Sequence, residues 1–377
     1  MANIQMVDLK GQYEKIRTEV DQAINEVVRS SAFINGPEVK DFQTELEEYL
    51  GVKHVIPCAN GTDALQIAMM ALDLKEGDEV ITTNFTFIAT VEVIALLKLK
   101  PVLVDVDPDT YNIDPEKLRE AISPNTKAIV PVHLFGQCAN MNEIMAIAEE
   151  KDIYVVEDTA QAISARYTLK DGSVKTAGTM GHIGATSFFP SKNLGCYGDG
   201  GALYTNDDAL ADRARQICNH GMRVRYYHEL IGVNSRLDSI QAAVLRIKLR
   251  KLDEYCDARI AAADYYDAAF ASIPEIKTPK RAEDSTHTFH QYTLRVPAED
   301  RNHLQKHLMD QDIPAMIYYP VPLHEQEAFE AYKTGETEYP VTVQLSKEVI
   351  SLPMHTELTE DQLKTITQEV ISYFKNK

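Results

Sequence analysis

Ala128-Ile129-Val130-Pro131-Val132-His133, then the helical spacing of Met141 to Glu149, then Ile153-Tyr154-Val155-Val156-Glu157 is the stretch that decides the fold. Two runs rich in Val and Ile, each too short for a helix, flank a segment whose apolar residues recur every three or four positions. This is how a βαβ unit reads, and parallel strands of that kind bury both faces under helices. The alternation extends outward. Apolar runs at 54–58, 79–83 and 101–105 are each followed by a helical pattern, such as Ala64 to Leu72. The chain is therefore α/β with a mainly parallel sheet flanked by helices.

Two more strands are predicted at 184–188 and 201–205, joined by a glycine-rich loop too short for a helical crossover, so at least one runs antiparallel and the sheet is mixed. Upstream, Ile16, Val20, Ile24 and Val27 form the stripe of a helix from Tyr13 to Val28. Pro37 opens a second helix carrying Val39, Phe42, Leu46 and Leu50. Beyond a helix near 207–219 and a polar stretch at 222–235, Ile240, Val244, Ile247 and Leu252 predict one long amphipathic helix from Ser239 to Phe270. After Pro274 the pattern changes to short strands (Thr293 to Val296, Ala315 to Tyr319) and helices (Arg301 to Gln311, Thr359 to Lys375). That style is a smaller α+β domain, and the expected division is 1–250 and 251–377.

Bulk properties narrow the function. With 377 residues, 44% hydrophobic and 25% charged, the chain is ordinary for a folded globular protein. A formal charge of −19, spread along the sequence, repels a phosphate backbone, so nucleic acid is not an expected partner. The first thirty residues carry charges at helical intervals and no secretory apolar core, and the apolar runs fall short of the roughly 20 residues that cross a bilayer. No membrane association and a cytoplasmic location are expected. Five cysteines without a C-x-x-C pair fit reduced thiols.

Asp158 ends the strand Ile153 to Glu157, where ligands of parallel sheets sit. It could merely cap the next helix, or pair with a pyridinium nitrogen. Gln161, three residues on, shares its face if a helix begins there. Lys192 lies in Ser187-Phe188-Phe189-Pro190-Ser191-Lys192-Asn193-Leu194-Gly195. A free lysine has a pKa of about 10.4 and is a poor nucleophile at neutral pH; apolar flanks lower that value. Asn60-Gly61-Thr62-Asp63 joins a strand to a helix whose first amides suit a phosphate dianion, with Thr62 and Ser187 adding hydroxyls. Together these residues match three ends of pyridoxal phosphate. Phe85 and Phe87 follow another strand, and either could stack on a pyridine ring or serve as core. His303 and His307 have an i, i+4 spacing, but no third ligand accompanies them and no metal is expected.

These segments, with Val7 to Tyr13, Thr86 to Thr90, Val132 to Gly136, Glu157 to Gln161 and Asn234 to Asp238, make the chain similar over nearly its whole length to the DegT/DnrJ/EryC1/StrS sugar aminotransferases. The resemblance implies a fold-type I pyridoxal phosphate enzyme. It further implies Lys192 as the Schiff-base lysine, Asp158 as the ring-nitrogen partner and Gln161 beside the phenolic oxygen. Phe87 would stack on the ring. Gly61, Thr62 and Ser187 would form the phosphate cradle, joined by Asn234 of a neighbouring subunit in a homodimer with composite sites. L-glutamate would convert the cofactor to pyridoxamine 5'-phosphate, and a nucleotide-linked keto-sugar would take the amino group.

Ile317 to His324 resembles the branch acting on UDP-2-acetamido-2-deoxy-3-keto-hexuronates for surface polysaccharides, where Arg236 and the pair at 318 and 319 meet the substrate carboxylate. Tyr318 stands where that branch carries histidine, replacing a potential cation by a neutral phenol. A dTDP-3-keto-6-deoxyhexose and a 4-keto sugar are the alternatives within the same chemistry. A pyridoxal phosphate lyase and a non-catalytic regulatory protein are the rival classes.

Overall fold

The computed structural model describes residues 4–332, 338–375 and 377. Helices α1 (Leu9–Ser30) and α2 (Pro37–Leu50) precede β1 (His54–Cys58), α3 (Gly61–Ala71), β2 (Glu79–Thr83) and α4 (Ala89–Leu96). Next come β3 (Lys100–Val104), α5 (Pro115–Ala121), β4 (Thr126–Val130), α6 (Met141–Lys151) and β5 (Tyr154–Asp158). A hairpin of β6 (Arg166–Thr168) and β7 (Val174–Thr176) leads to β8 (Ile183–Ser187), β9 (Gly201–Thr205) and α7 (Asp208–Cys218). A second hairpin, β10 (Met222–Val224) and β11 (Tyr227–His228), precedes α8 (Ser239–Leu249) and α9 (Leu252–Phe270). The remainder holds β12 (Tyr292–Arg295), α10 (Ala298–Asp310), α11 (Pro340–Glu348), β13 (Val349–Leu352) and α12 (Glu360–Lys375).

Among the described residues, the main sheet has seven strands in the order β1-β9-β8-β5-β4-β2-β3. β2, β3, β4, β5 and β8 pair in parallel, whereas β9 runs antiparallel to both β8 and β1. The short glycine-rich connection between β8 and β9 therefore does reverse the chain. Both faces are buried, as the alternating pleat requires. Val156 packs with Leu65 and Ile67 of α3, and its neighbour Val155 packs with Ile144 and Ile147 of α6 on the other face. A second core gathers Tyr266 and Phe270 of α9, Tyr292 and Leu294 of β12, and Ile366 and Val370 of α12.

The expected long helix is two helices meeting at Arg250 and Lys251. From Ile247 to Leu252 the apolar stripe steps by five residues, which at 3.6 residues per turn rotates Leu252 about 140° off it. A straight helix could not keep both in one groove. Ala315 to Tyr319 forms no strand; it makes one bridge, Met316 with Ser351, on the edge of β13. Pro314 and Pro320 flank the segment and lack the amides a longer ladder would use. Both hairpins fall in segments whose alternation is too short to stand out.

All five cysteines are buried free thiols. No helix among the described residues is long and apolar enough to cross a membrane, and no group of metal-ligating side chains is found among them.

Candidate active site

At the carboxyl end of β5, Asp158 sits opposite Ala185 of the parallel strand β8. It is buried, and burial pushes its carboxyl above the ordinary aspartate value. Four things oppose that shift: the Ala160 amide donates to Oδ1 (3.1 Å), the Thr90 hydroxyl donates to Oδ2 (2.8 Å), and Lys192 and His133 lie near enough to favour the charged form. A buried carboxylate with two donors and one cation is equipped to hold a cationic ring nitrogen.

Lys192 is partly buried in the loop between β8 and β9. Its amide donates to Phe189 O (2.8 Å) and the Cys196 amide donates to Phe188 O (2.9 Å), which closes the loop on itself. Phe188 anchors it by packing edge-on against Phe42 at 5.4 Å. Burial lowers the amine to about 8, with only Asp158 opposing the shift. At pH 7 about a tenth of such an amine is neutral, against less than a thousandth for an ordinary lysine.

Asn60 caps α3 by accepting from the Asp63 amide at 2.8 Å. The amides of Gly61 and Thr62 make no hydrogen bond to any described residue. A Cβ on Gly61 would lie 2.6 Å from Ser187 Cβ, so only glycine lets the start of α3 approach the end of β8. Two free amides and the Ser187 hydroxyl thus converge where a phosphate dianion fits. Phe85 is core, packed edge-on against Tyr111 and Tyr319. Phe87 is 56% exposed. It is the ring free to cover a planar cofactor.

Gln161 accepts from the Phe135 amide through Oε1 (2.7 Å) and donates through Nε2 to the Tyr319 hydroxyl (3.1 Å). Phe135 reaches this position in the left-handed region, φ 57°. Tyr319 therefore spends its acceptor on Gln161 and keeps its own proton to donate. Tyr318, at 6.0 Å from the Tyr319 ring, is partly buried, and burial raises its phenol. Arg236 forms no ion pair with a described residue, Asp238 included, and Asn234 lies exposed just after the second hairpin. His303 and His307 lie on α10, the first exposed and the second partly buried beside Glu369, away from these residues.

Two functional features escaped the sequence reading. Thr90 is 68 residues from Asp158, and its hydroxyl role has no periodic signal. The fully buried pair His133–Glu157 (2.8 Å) is the second. His133 Nδ1 accepts from the Ala139 amide, so Nε2 carries the proton given to Glu157. Glu157 also gathers the amides of Gly178, Met180 and Gly181, and the His133 amide donates to Asp158 O at 3.0 Å. This brace ties the ends of β4 and β5 to the turn before β8. The pleat offers the only hint: Glu157, adjacent to Asp158, must face the opposite side of the sheet.

The cradle, the partly buried amine and the buried carboxylate fit pyridoxal phosphate. Comparison with known proteins adds that the profile of the DegT/DnrJ/EryC1/StrS aminotransferase family matches residues 14–371. A Geobacillus stearothermophilus protein named pleiotropic regulatory protein is 44% identical over 99% of each chain. UDP-2-acetamido-2-deoxy-3-oxo-D-glucuronate aminotransferase of Pseudomonas aeruginosa is 45% identical over 96% of this chain and 98% of that one. A dTDP-3-amino-3,4,6-trideoxy-alpha-D-glucose transaminase of Streptomyces venezuelae is 38% identical, covering 97% and 95%. Among solved structures, a DegT DnrJ EryC1 StrS aminotransferase from Brucella abortus superposes with a TM-score of 0.93 at 42% identity, covering 98% and 99%. Bacillus subtilis NtdA with bound cofactor PMP gives 0.89 at 31%, covering 96% and 82%.

Proposed function

Because the chain belongs to the DegT/DnrJ/EryC1/StrS aminotransferase family, we propose that Lys192, Asp158 and Gln161 are its catalytic set and UDP-2-acetamido-2-deoxy-3-keto-glucuronate its amino acceptor. The chain is a sugar aminotransferase that uses pyridoxal phosphate. The observation that carries the assignment is the placement of Asp158 at the end of β5, and of the Lys192 loop and the Gly61 turn at the end of the neighbouring strand β8.

When bound, the cofactor supplies an electron sink that lets an amino group leave one substrate and join another. Asp158 would hold the protonated ring nitrogen, and its donors Thr90 and Ala160 favour its charged form against the effect of burial. Gly61, Thr62 and Ser187 would grip the phosphate, Phe87 would cover the ring, and Gln161 would donate to the phenolic oxygen. The lowered affinity of Lys192 Nζ for its proton suits it to take one from the substrate carbon and return it later. L-glutamate is the proposed donor.

Two observations support the uronate. One is the name of the Pseudomonas aeruginosa relative; the other is Arg236, which no described acid neutralises. Tyr319, with a proton free to donate, would bind an oxygen of the same sugar. The nearest competing acceptor is a dTDP-3-keto-deoxyhexose, the chemistry named for the Streptomyces venezuelae relative. The proposal extends to a homodimer working in the cytoplasm, its second hairpin covered by the partner copy. That hairpin shows Val224, Tyr226 and Tyr227 to solvent, followed by Ile231 at 89% exposure and then Asn234. The proposed domain boundary near Arg250 is supported by the helix break and by the second core, built mostly from residues beyond it. The test is incubation of purified protein and glutamate with a panel of UDP- and dTDP-keto-sugars, read by mass spectrometry. Amination of the UDP-uronate above all others is expected; a preference for an uncharged dTDP-sugar overturns the acceptor, and no amination of any sugar overturns the catalytic set.

A further inference from the structure

The loop that carries Lys192 is gripped from one side by a single helix. Two α8 side chains, Gln241 and Lys248, are seven residues apart and so share one helical face. Gln241 Oε1 accepts from the Tyr197 amide at 2.8 Å, and its Nε2 donates to Tyr197 O at 3.4 Å. Lys248 Nζ donates to Gly195 O at 2.8 Å and sits over the Tyr197 ring, 4.8 Å from its centroid. Lys248 is 2% exposed and forms no ion pair with a described acid. A buried ammonium without a carboxylate is expensive, so one kept here has to be matched by what it holds.

What it holds is the return of the loop. A Cβ on Gly195 would lie 2.3 Å from Pro190 O, so the chain doubles back tightly there and has little freedom to shift by itself. The other end of α8 begins directly after Arg236 and Leu237, and Leu237 shares a core with Phe188, Leu194 and Leu245. One rigid helix thus touches both the loop of the proposed Schiff-base lysine and the segment of the proposed sugar-binding arginine.

We propose that Gln241 and Lys248 form a two-point clamp that positions the Lys192 amine, and that α8 fixes this amine relative to Arg236. They are positioning residues, since neither is placed against a substrate or the cofactor. The inference rests on the assignment of Lys192 above. The groups that interact electrostatically with Lys192 are Asp158 and His290, and the variants below leave both unchanged.

The experiment uses the full-length protein. In the wild type loaded with pyridoxal phosphate, borohydride reduction followed by peptide mass mapping first locates the modified lysine. In cofactor-free protein at pH 7, the rate of Lys192 modification by an amine-acylating reagent is then compared among wild type, Lys248→Met, Gln241→Ala and Gln241→Glu. Methionine fills the volume of the buried stem, and glutamate keeps the acceptor for the Tyr197 amide. Freeing the loop lets the amine return toward water, and each unit of recovered pKa cuts its neutral, reactive fraction about tenfold. Lys248→Met and Gln241→Ala are expected to slow Lys192 several-fold, roughly three-fold or more, while Gln241→Glu reacts like wild type. Equal rates in wild type and a folded Gln241→Ala or Lys248→Met overturn the clamp; if Lys248→Met does not fold, Gln241→Ala alone decides. Mapping of the cofactor to a lysine other than Lys192 overturns the underlying assignment instead, so the two failures are distinguishable.

Discussion

Thr90→Val isolates one hydroxyl that separates a buried charge from an unsupported one. Thr90 Oγ1 donates to Asp158 Oδ2 at 2.8 Å, both side chains are buried, and valine matches threonine in shape without a donor. A hydrogen bond to a charged group contributes about 1.5–3 kcal/mol, which corresponds to about one to two units of upward shift for the Asp158 carboxyl. Burial already holds that pKa above the unfolded value, so the folded protein binds this proton more tightly than the unfolded chain does. Stability is therefore lost as pH rises from the unfolded value through the raised one, and the variant extends that penalty to higher pH. Destabilisation by Thr90→Val is full above the variant's folded pKa and shrinks as pH falls through it. Urea midpoints of cofactor-free wild type, Thr90→Val and Thr90→Ser, measured across pH at one protein concentration, provide the assay. Serine should restore most of the loss. A Thr90→Val variant as stable as wild type at pH 7, or one whose deficit does not diminish in acid, refutes the reasoning.

Lys192→Ala is expected to bind pyridoxal phosphate, to lack the visible absorbance of a lysine-linked cofactor, and to turn over no substrate; normal turnover would refute the role. Arg236→Ala should reduce kcat/KM for a keto-uronate far more than for an uncharged keto-sugar, by about tenfold or more if a charge-assisted hydrogen bond is lost, and equal losses would remove the carboxylate role. His287, stacked on Phe289 at 3.9 Å, is pushed by burial down to about 3, and His355 to about 4. Each therefore stabilises fully above the unfolded value of about 6.5, and that stability is lost as pH falls through the folded value, at up to about 1.4 kcal/mol per pH unit. His287→Phe should flatten the urea midpoint profile between pH 6.5 and 4, and an unchanged slope would contradict this.

What was legible in the sequence was whatever a periodic pattern or a strand end could announce. The βα alternation, the antiparallel return at 201–205, the positions of Asp158 and Gly61 at element ends and that of Lys192 in a glycine-rich loop all have local signals. Phe85 and Phe87 differ by two residues and look alike in sequence; only packing against Tyr111 makes one core and leaves the other exposed. The Thr90 hydroxyl, the His133–Glu157 brace and the Lys248 contact with Gly195 O join residues 68, 24 and 53 positions apart, and no spacing rule reaches that far. The break at Arg250 was missed, because Leu245, Leu249, Leu252 and Cys256 keep a helical spacing straight through it.

The most direct measurement is a crystallographic map of the protein with pyridoxal phosphate. One ring should lie with Lys192 Nζ bonded at its aldehyde carbon, the Asp158 carboxylate at its nitrogen, and the phosphate on the Gly61 and Thr62 amides. A ring that meets Lys192 while Asp158 faces only protein, or a cofactor seated elsewhere, would contradict the assignment.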